Sequence, residues 1–170
     1  MDMQDITIQL EQMAEDILRE GAEIIAATAQ EYYRNSFRRK NFDSQPWLPA
    51  KTPSRRGSLL VKSGALANSI RIAELSPRRV VISAGGDKVG YAQVHNDGYT
   101  GLVNVPEHMR RARPRSLIPS EGKPAKGEVS VRAHTRHASI PKRQFMGQAR
   151  DLNELIRNRL LAYISSRTNQ

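Results

Sequence analysis

QDITIQLEQMAEDILREGAEIIAATAQEYYRNSFR, residues 4–38, reads as one long helix. Ile6, Leu10, Met13, Ile17, Ile24 and Tyr32 recur at steps of three or four residues or their multiples, which draws a stripe down one helical face. Ala14, Leu18, Ile25 and Ala29 widen the stripe, and no proline interrupts it. Gly21 costs roughly 1 kcal/mol against alanine, which marks it for a close crossing or a bend. At 1.5 Å per residue the helix is about 50 Å long. A small domain does not need that length, so part of the helix is expected to pack on a neighbour.

The segments that follow have their own character. Residues 39–62 hold Pro46, Pro49 and Pro53 among Lys51, Arg55 and Arg56, a loop composition. Trp47, the only tryptophan, is expected to cap the core there. In residues 63–98, Ser63 is placed to cap a short helix over 65–69. Residues 70–75 and 80–84 are β-rich runs parted by Ser76-Pro77, a hairpin. Ala84-Gly85-Gly86-Asp87 is a turn, and 91–96 makes one or two helical turns stopped by Gly98. Residues 99–128 read as an extended basic arm with one β-like run at 101–105. Residues 129–147 hold a strand from Val129 to about His137 and then IPKRQFMG at 140–147. Asp151-Leu152-Asn153-Glu154 resembles a capping box and opens a terminal helix over 151–166. Leu152, Leu155, Ile156, Leu160 and Ile164 line one face of it. No internal repeat is present. The expected fold is a single α+β domain over 1–170, with the long N-terminal helix and the C-terminal helix packed on a small antiparallel sheet.

Composition narrows the function. A chain of 170 residues has room for one core. It is 38% hydrophobic and 5% aromatic, so the core is expected to be mostly aliphatic. With no cysteine there is neither a disulfide framework nor a thiol nucleophile, which suits a reducing cytoplasm. The opening MDMQDITIQL lacks a basic n-region, so no secretory signal is expected. The longest apolar run, Ile24 to Ala27, is too short for a bilayer, so no membrane partner is expected.

The net charge of +10 is unevenly placed. Residues 1–34 carry eight acids and two bases, net −6, while residues 35–150 carry seven acids and twenty-two bases, net +15. Residues 110–143 alone hold ten bases against Glu121 and Glu128. Arg110, Arg111, Arg113, Arg115, Lys123 and Lys126 are the candidate anion- or DNA-facing residues. Such side chains contact phosphates without reading sequence. Stacking on bases would need interleaved aromatics, and none lies between Tyr99 and Phe145. The arm therefore faces either a nucleic-acid backbone or the acidic helix of an adjacent copy.

Catalytic patterns are missing. His95, His134 and His137 are the conceivable metal set, but no HExxH pattern occurs. Ser63 lacks a G-x-S-x-G context. Gly85-Gly86-Asp87-Lys88-Val89-Gly90 lacks the order of a phosphate-binding loop and reads as a turn. The acids of the middle segment are scattered. No catalytic residue, metal or cofactor is expected, and the chain is not read as an enzyme.

Four stretches carry a resemblance: QPWLPAKTP at 45–53, LLVKSGALANSI at 59–70, YAQVHNDG at 91–98 and IPKRQFMG at 140–147. In order and spacing, over about residues 4–165, they resemble the phage virion morphogenesis family, the tail-completion proteins of Mu-like phages (protein G) and of related tailed phages. Gln144 stands where the family often has proline, and the arm is unusually rich in arginine. The resemblance implies a structural protein of the virion neck, assembled in the host cytoplasm. It would form a ring, six-fold, at the top of the tail and take part in head–tail joining. The implied partners are further copies of the chain, the tail terminator, tail tube and head-closure proteins, and non-specific contact with DNA in the channel. A ring needs two complementary faces on each subunit, and the acidic helix and basic arm supply them. Trp47, Tyr91, His95, Arg143 and Phe145 are the candidate subunit-interface residues. Phe145 is either an exposed apolar anchor or a core plug beneath the last helix. Tyr91 and His95, one turn apart, are expected to brace the fold. The alternative function is a basic nucleic-acid-binding module that uses the arginine-rich arm.

Overall fold

Helix α1 spans Met3–Arg39, one residue beyond the expected helix at each end, in a computed structural model that describes residues 3–50, 57–111 and 128–168. A short hairpin follows, β1 (Asn41–Phe42) with β2 (Gln45–Pro46). Then come α2 (Ala65–Asn68), β3 (Arg71–Ser76), β4 (Arg79–Ser83), α3 (Ala92–Asp97) and β5 (Tyr99–Val105). The order closes with β6 (His108–Arg111), β7 (Glu128–Val131), β8 (His134–Ile140) and α4 (Arg150–Thr168). The class is α+β as expected, but the sheet is not one piece. Among the described residues the strands form four two-stranded antiparallel pairs. The chain divides into two units, Met1–Gly98 with Pro141–Gln170, and Tyr99–Ile140.

In the first unit, only the second half of α1 is buried. Ala22, Ala26, Ala29, Tyr32, Tyr33 and Phe37 are covered. The alanines let α4 and the β3–β4 hairpin approach closely, and the aromatics fill the space beyond them. Phe37 meets Trp47 edge-on at 5.4 Å and Phe145 at 5.0 Å, while Tyr32 meets Phe42 at 5.9 Å. All three phenylalanines and the tryptophan are therefore interior, with Tyr32 and Tyr33, while the other buried core residues are aliphatic and outnumber them, as expected. Each aromatic side chain buries roughly 150–250 Å², so six of them add much of the covered area to that aliphatic majority.

α4 lies along α1. Arg159 donates to Thr28 at 3.1 Å and to Glu31 at 2.9 Å, and Arg167 pairs with Glu20. Gly21 marks their crossing: a Cβ there would lie 3.7 Å from Leu160 Cδ2, an ordinary contact. The start of α4 differs from expectation. The helix begins at Arg150, so Asp151 sits in its first turn rather than capping it. The acceptor for Asp151 N–H comes from Asp43 Oδ1, 3.1 Å away on the β1–β2 turn, and Ser44 Oγ donates to Asp151 Oδ2 at 2.9 Å. Asp43 and Ser44 both have positive φ, 47° and 61°, as a two-residue turn of the primed type requires. The short helix α2 also departs from the reading. Gly64, at φ 79°, holds its N-cap position, and Ser63 Oγ is 3.4 Å from Ala65 N, a long contact.

The β3–β4 hairpin falls where expected, with a register shift between Ile72 and Glu74. It is tied to α1 through the carbonyl of buried Ile70, which accepts from Gln30 Nε2 at 3.1 Å and Arg34 Nη2 at 2.8 Å.

In the second unit β5 pairs with β8 from Tyr99↔Ile140 to Val105↔His134, and β6 pairs with β7 from His108↔Val131 to Arg111↔Glu128. The arm is thus longer than 99–128. The strand assigned separately from Val129 is its return limb, because the partner of each residue lies far along the chain rather than beside it.

Candidate functional site

Three of the four stretches that carry the resemblance meet in the first unit, mostly through side chains that bond backbone groups. Asn96 Oδ1 accepts from two consecutive N–H groups, Phe145 at 3.0 Å and Met146 at 3.1 Å. His95 O accepts from Arg143 N–H at 2.9 Å. The Arg143 side chain reaches the tryptophan loop, where Nε donates to Leu48 O at 2.9 Å and Nη2 to Pro49 O at 3.1 Å. Trp47 Nε1 donates back to Gln144 O at 2.6 Å, and Tyr33 OH donates to Gly147 O at 2.9 Å. The result is a clasp, in which three sequence-distant loops satisfy one another's buried polar groups.

The clasp fixes the standing of the sequence candidates. Phe145 is 1% exposed against Phe37, so it is the core plug and not an exposed anchor. Its N–H is already claimed by Asn96, which turns the ring inward. Trp47 and Arg143 are buried with it. Tyr91 and His95 pack edge-on at 5.6 Å beside a cleft of about 650 Å³. Arg110 is exposed on β6, and the backbone of Arg111 lies opposite that of Glu128 in the ladder. Arg113, Arg115, Lys123 and Lys126 lie outside the described residues. No group of three His, Asp or Glu side chains among the described residues is placed to hold a metal. His134 and His137 stand along β8, in a different unit from His95. Sequence reasoning missed Asn96 and Asp43. Asn96 carried only a weak signal, its place beside His95 in YAQVHNDG, and Asp43 carried none.

His95 gives the clasp a pH dependence. Its Nδ1 is buried with no hydrogen-bond partner among the described residues. Burial first, and the Arg143 charge second, hold its pKa below the usual 6.5. The folded state therefore disfavours the proton that the unfolded chain accepts. Stability is full above about pH 6.5 and falls as the pH drops through and below it. Thermal unfolding from pH 8 to pH 5 should show that loss, and His95→Gln should flatten this part of the profile.

What remains for contact with other molecules is surface. The first half of α1 carries Asp5, Glu11, Glu15, Asp16 and Glu20, with Arg19 paired to Asp16 at 2.7 Å. The second unit exposes Arg110, Arg132 and Arg136. The sequence model of the phage virion morphogenesis family matches residues 2–165. The chain belongs to that family. No curated protein and no solved structure matches it. Membership in the phage virion morphogenesis family makes a structural role in phage assembly the chain's function class and associates it with the virion. No described helix is long and apolar enough to cross a membrane.

Proposed function

We propose that the chain is a tail-completion subunit: copies form a ring at the top of the tail, in the neck, and take part in joining tail to head. One observation supports this beyond family membership. The motif residues are consumed in the clasp, while opposite charges are left on separate exposed elements, acid on α1 and base on the β5–β8 and β6–β7 ladders. Head-to-tail closure of identical subunits needs two such unlike faces. The tail terminator, tail tube and head-closure proteins are the neighbours this position implies, six is the expected subunit number, and DNA in the channel meets the arm through its phosphates.

Replacing Arg110, Arg111, Arg113 and Arg115 together by glutamate should abolish head–tail joining, leaving separate heads and tails in lysates viewed by electron microscopy. Joined virions at normal yield would remove the arm from the account. If the purified chain instead stays monomeric while binding DNA duplex tightly at low salt, the nucleic-acid-module reading replaces the ring.

A further inference from the structure

The first half of α1 is bare on its apolar side. Ile6, Leu10, Met13 and Ile17 are 42, 60, 60 and 39% exposed, although their spacing of four, three and four residues makes a regular seam. α4 covers α1 only as far as the Arg167–Glu20 pair. Ile17 and Leu18 still share a cleft with Leu160, Ile164 and the β3–β4 turn; from Asp16 back to Met3 the helix runs about 20 Å with its large apolar residues exposed.

A receptor for such a seam exists on the same unit. An apolar cleft of about 570 Å³ lies between α1, β4, α3 and α4, lined by Ala29, Ile82, Met146 and Ile156 among others. It shares Ile25 and Val80 with a second cleft, of about 460 Å³, which continues to Ile17 and Leu160. Together they make one trough. Measured along α1 from Ile17 to Tyr33 it is about 24 Å long, enough to hold the bare segment. Arg78 and Arg79 line its outer part, and both are exposed.

We infer that the free half of α1 of one copy lies in this trough on the next copy. The mode is an amphipathic helix in a groove. Charge selects the occupant: residues 3–20 carry five acids and one base, a match for Arg78 and Arg79. The same charge disfavours the symmetric alternative, two α1 seams paired with each other, because acids would then face acids with only Arg19 to offset them. Seam and trough share only Ile17, where they meet, and Ile6, Leu10 and Met13 lie outside the trough, so the contact is head-to-tail and propagates. The inference rests on the ring reading and deepens it by naming the contact: the acids of α1 meet Arg78 and Arg79, which leaves the basic ladders to other neighbours.

The absence of cysteine allows a direct test. Full-length chains carrying Leu10→Cys and chains carrying either Val80→Cys or Ile156→Cys are mixed and oxidised. A disulfide joining the two kinds of chain is expected, with little between chains of the same kind. In the unlabelled protein Leu10→Glu is expected to raise the dissociation constant of the assembly at least about 30-fold, as loss of a central interface anchor does. Leu10→Cys chains that couple chiefly to each other would overturn the inference in favour of a symmetric pair. An intact assembly with no mixed disulfide would overturn it while leaving the ring standing. Chains that neither assemble nor couple would sink both.

Discussion

Phe145→Ala is expected to destabilise the chain by about 3–5 kcal/mol, the usual cost of emptying a buried phenylalanine site. In a chain of this length that lowers Tm by roughly 10 °C. The ring is 1% exposed and packs on Phe37, which in turn packs on Trp47. Neighbouring loops cannot collapse into the vacated space, since hydrogen bonds from Trp47, Arg143 and Tyr33 hold them in place. Phe145→Leu keeps most of the apolar volume and should lose clearly less. Equal, small losses for both variants would mean that this side chain is an exposed contact after all. Calorimetry on the purified variants reads the difference.

Asn96→Ala is expected to cost about as much, by a different route. One oxygen serves the N–H groups of Phe145 and Met146. Removing it orphans two partly buried donors, each at about 1–3 kcal/mol. Asn96→Asp retains an acceptor at the same place and should recover much of the loss near neutral pH. If alanine and aspartate behave alike, the two backbone contacts are not what holds the loop. Amide exchange at Phe145 and Met146 provides the local readout: both amides should lose protection in Asn96→Ala before the rest of the core does.

The contrast between these residues and α1 shows what could be read from sequence. The span of α1 was legible because thirty-odd residues of unbroken periodicity leave no competing structure. The β3–β4 hairpin and the helix ended by Gly98 were legible through turn chemistry, which is local. The side of α1 that would be covered was not. Ile6, Leu10 and Met13 have the same spacing as a core-facing stripe, and only the reach of α4 separates covered from bare. Asp43 serves Asp151 from 108 positions away, so no window of sequence holds both donor and acceptor, and a local capping box was the natural but mistaken reading. The orientation of Phe145 was equally hidden. A phenylalanine amid Lys142, Arg143 and Gln144 looks exposed until the partners of the backbone beside it are known.

That division also separates stability from assembly. The clasp variants should lower Tm, whereas changes to the α1 seam should leave Tm of the isolated subunit nearly unchanged and alter association alone. Surface substitutions away from packed or capped positions are usually worth within about 0.5 kcal/mol.

Light scattering on the purified full-length chain, over a wide concentration range and at low and high salt, tests the central claim most directly. A subunit built to close head-to-tail on itself predicts a discrete mass several times 19.1 kDa, without growth to larger species and weakened by Leu10→Glu. A mass of one subunit at every concentration and salt would contradict it.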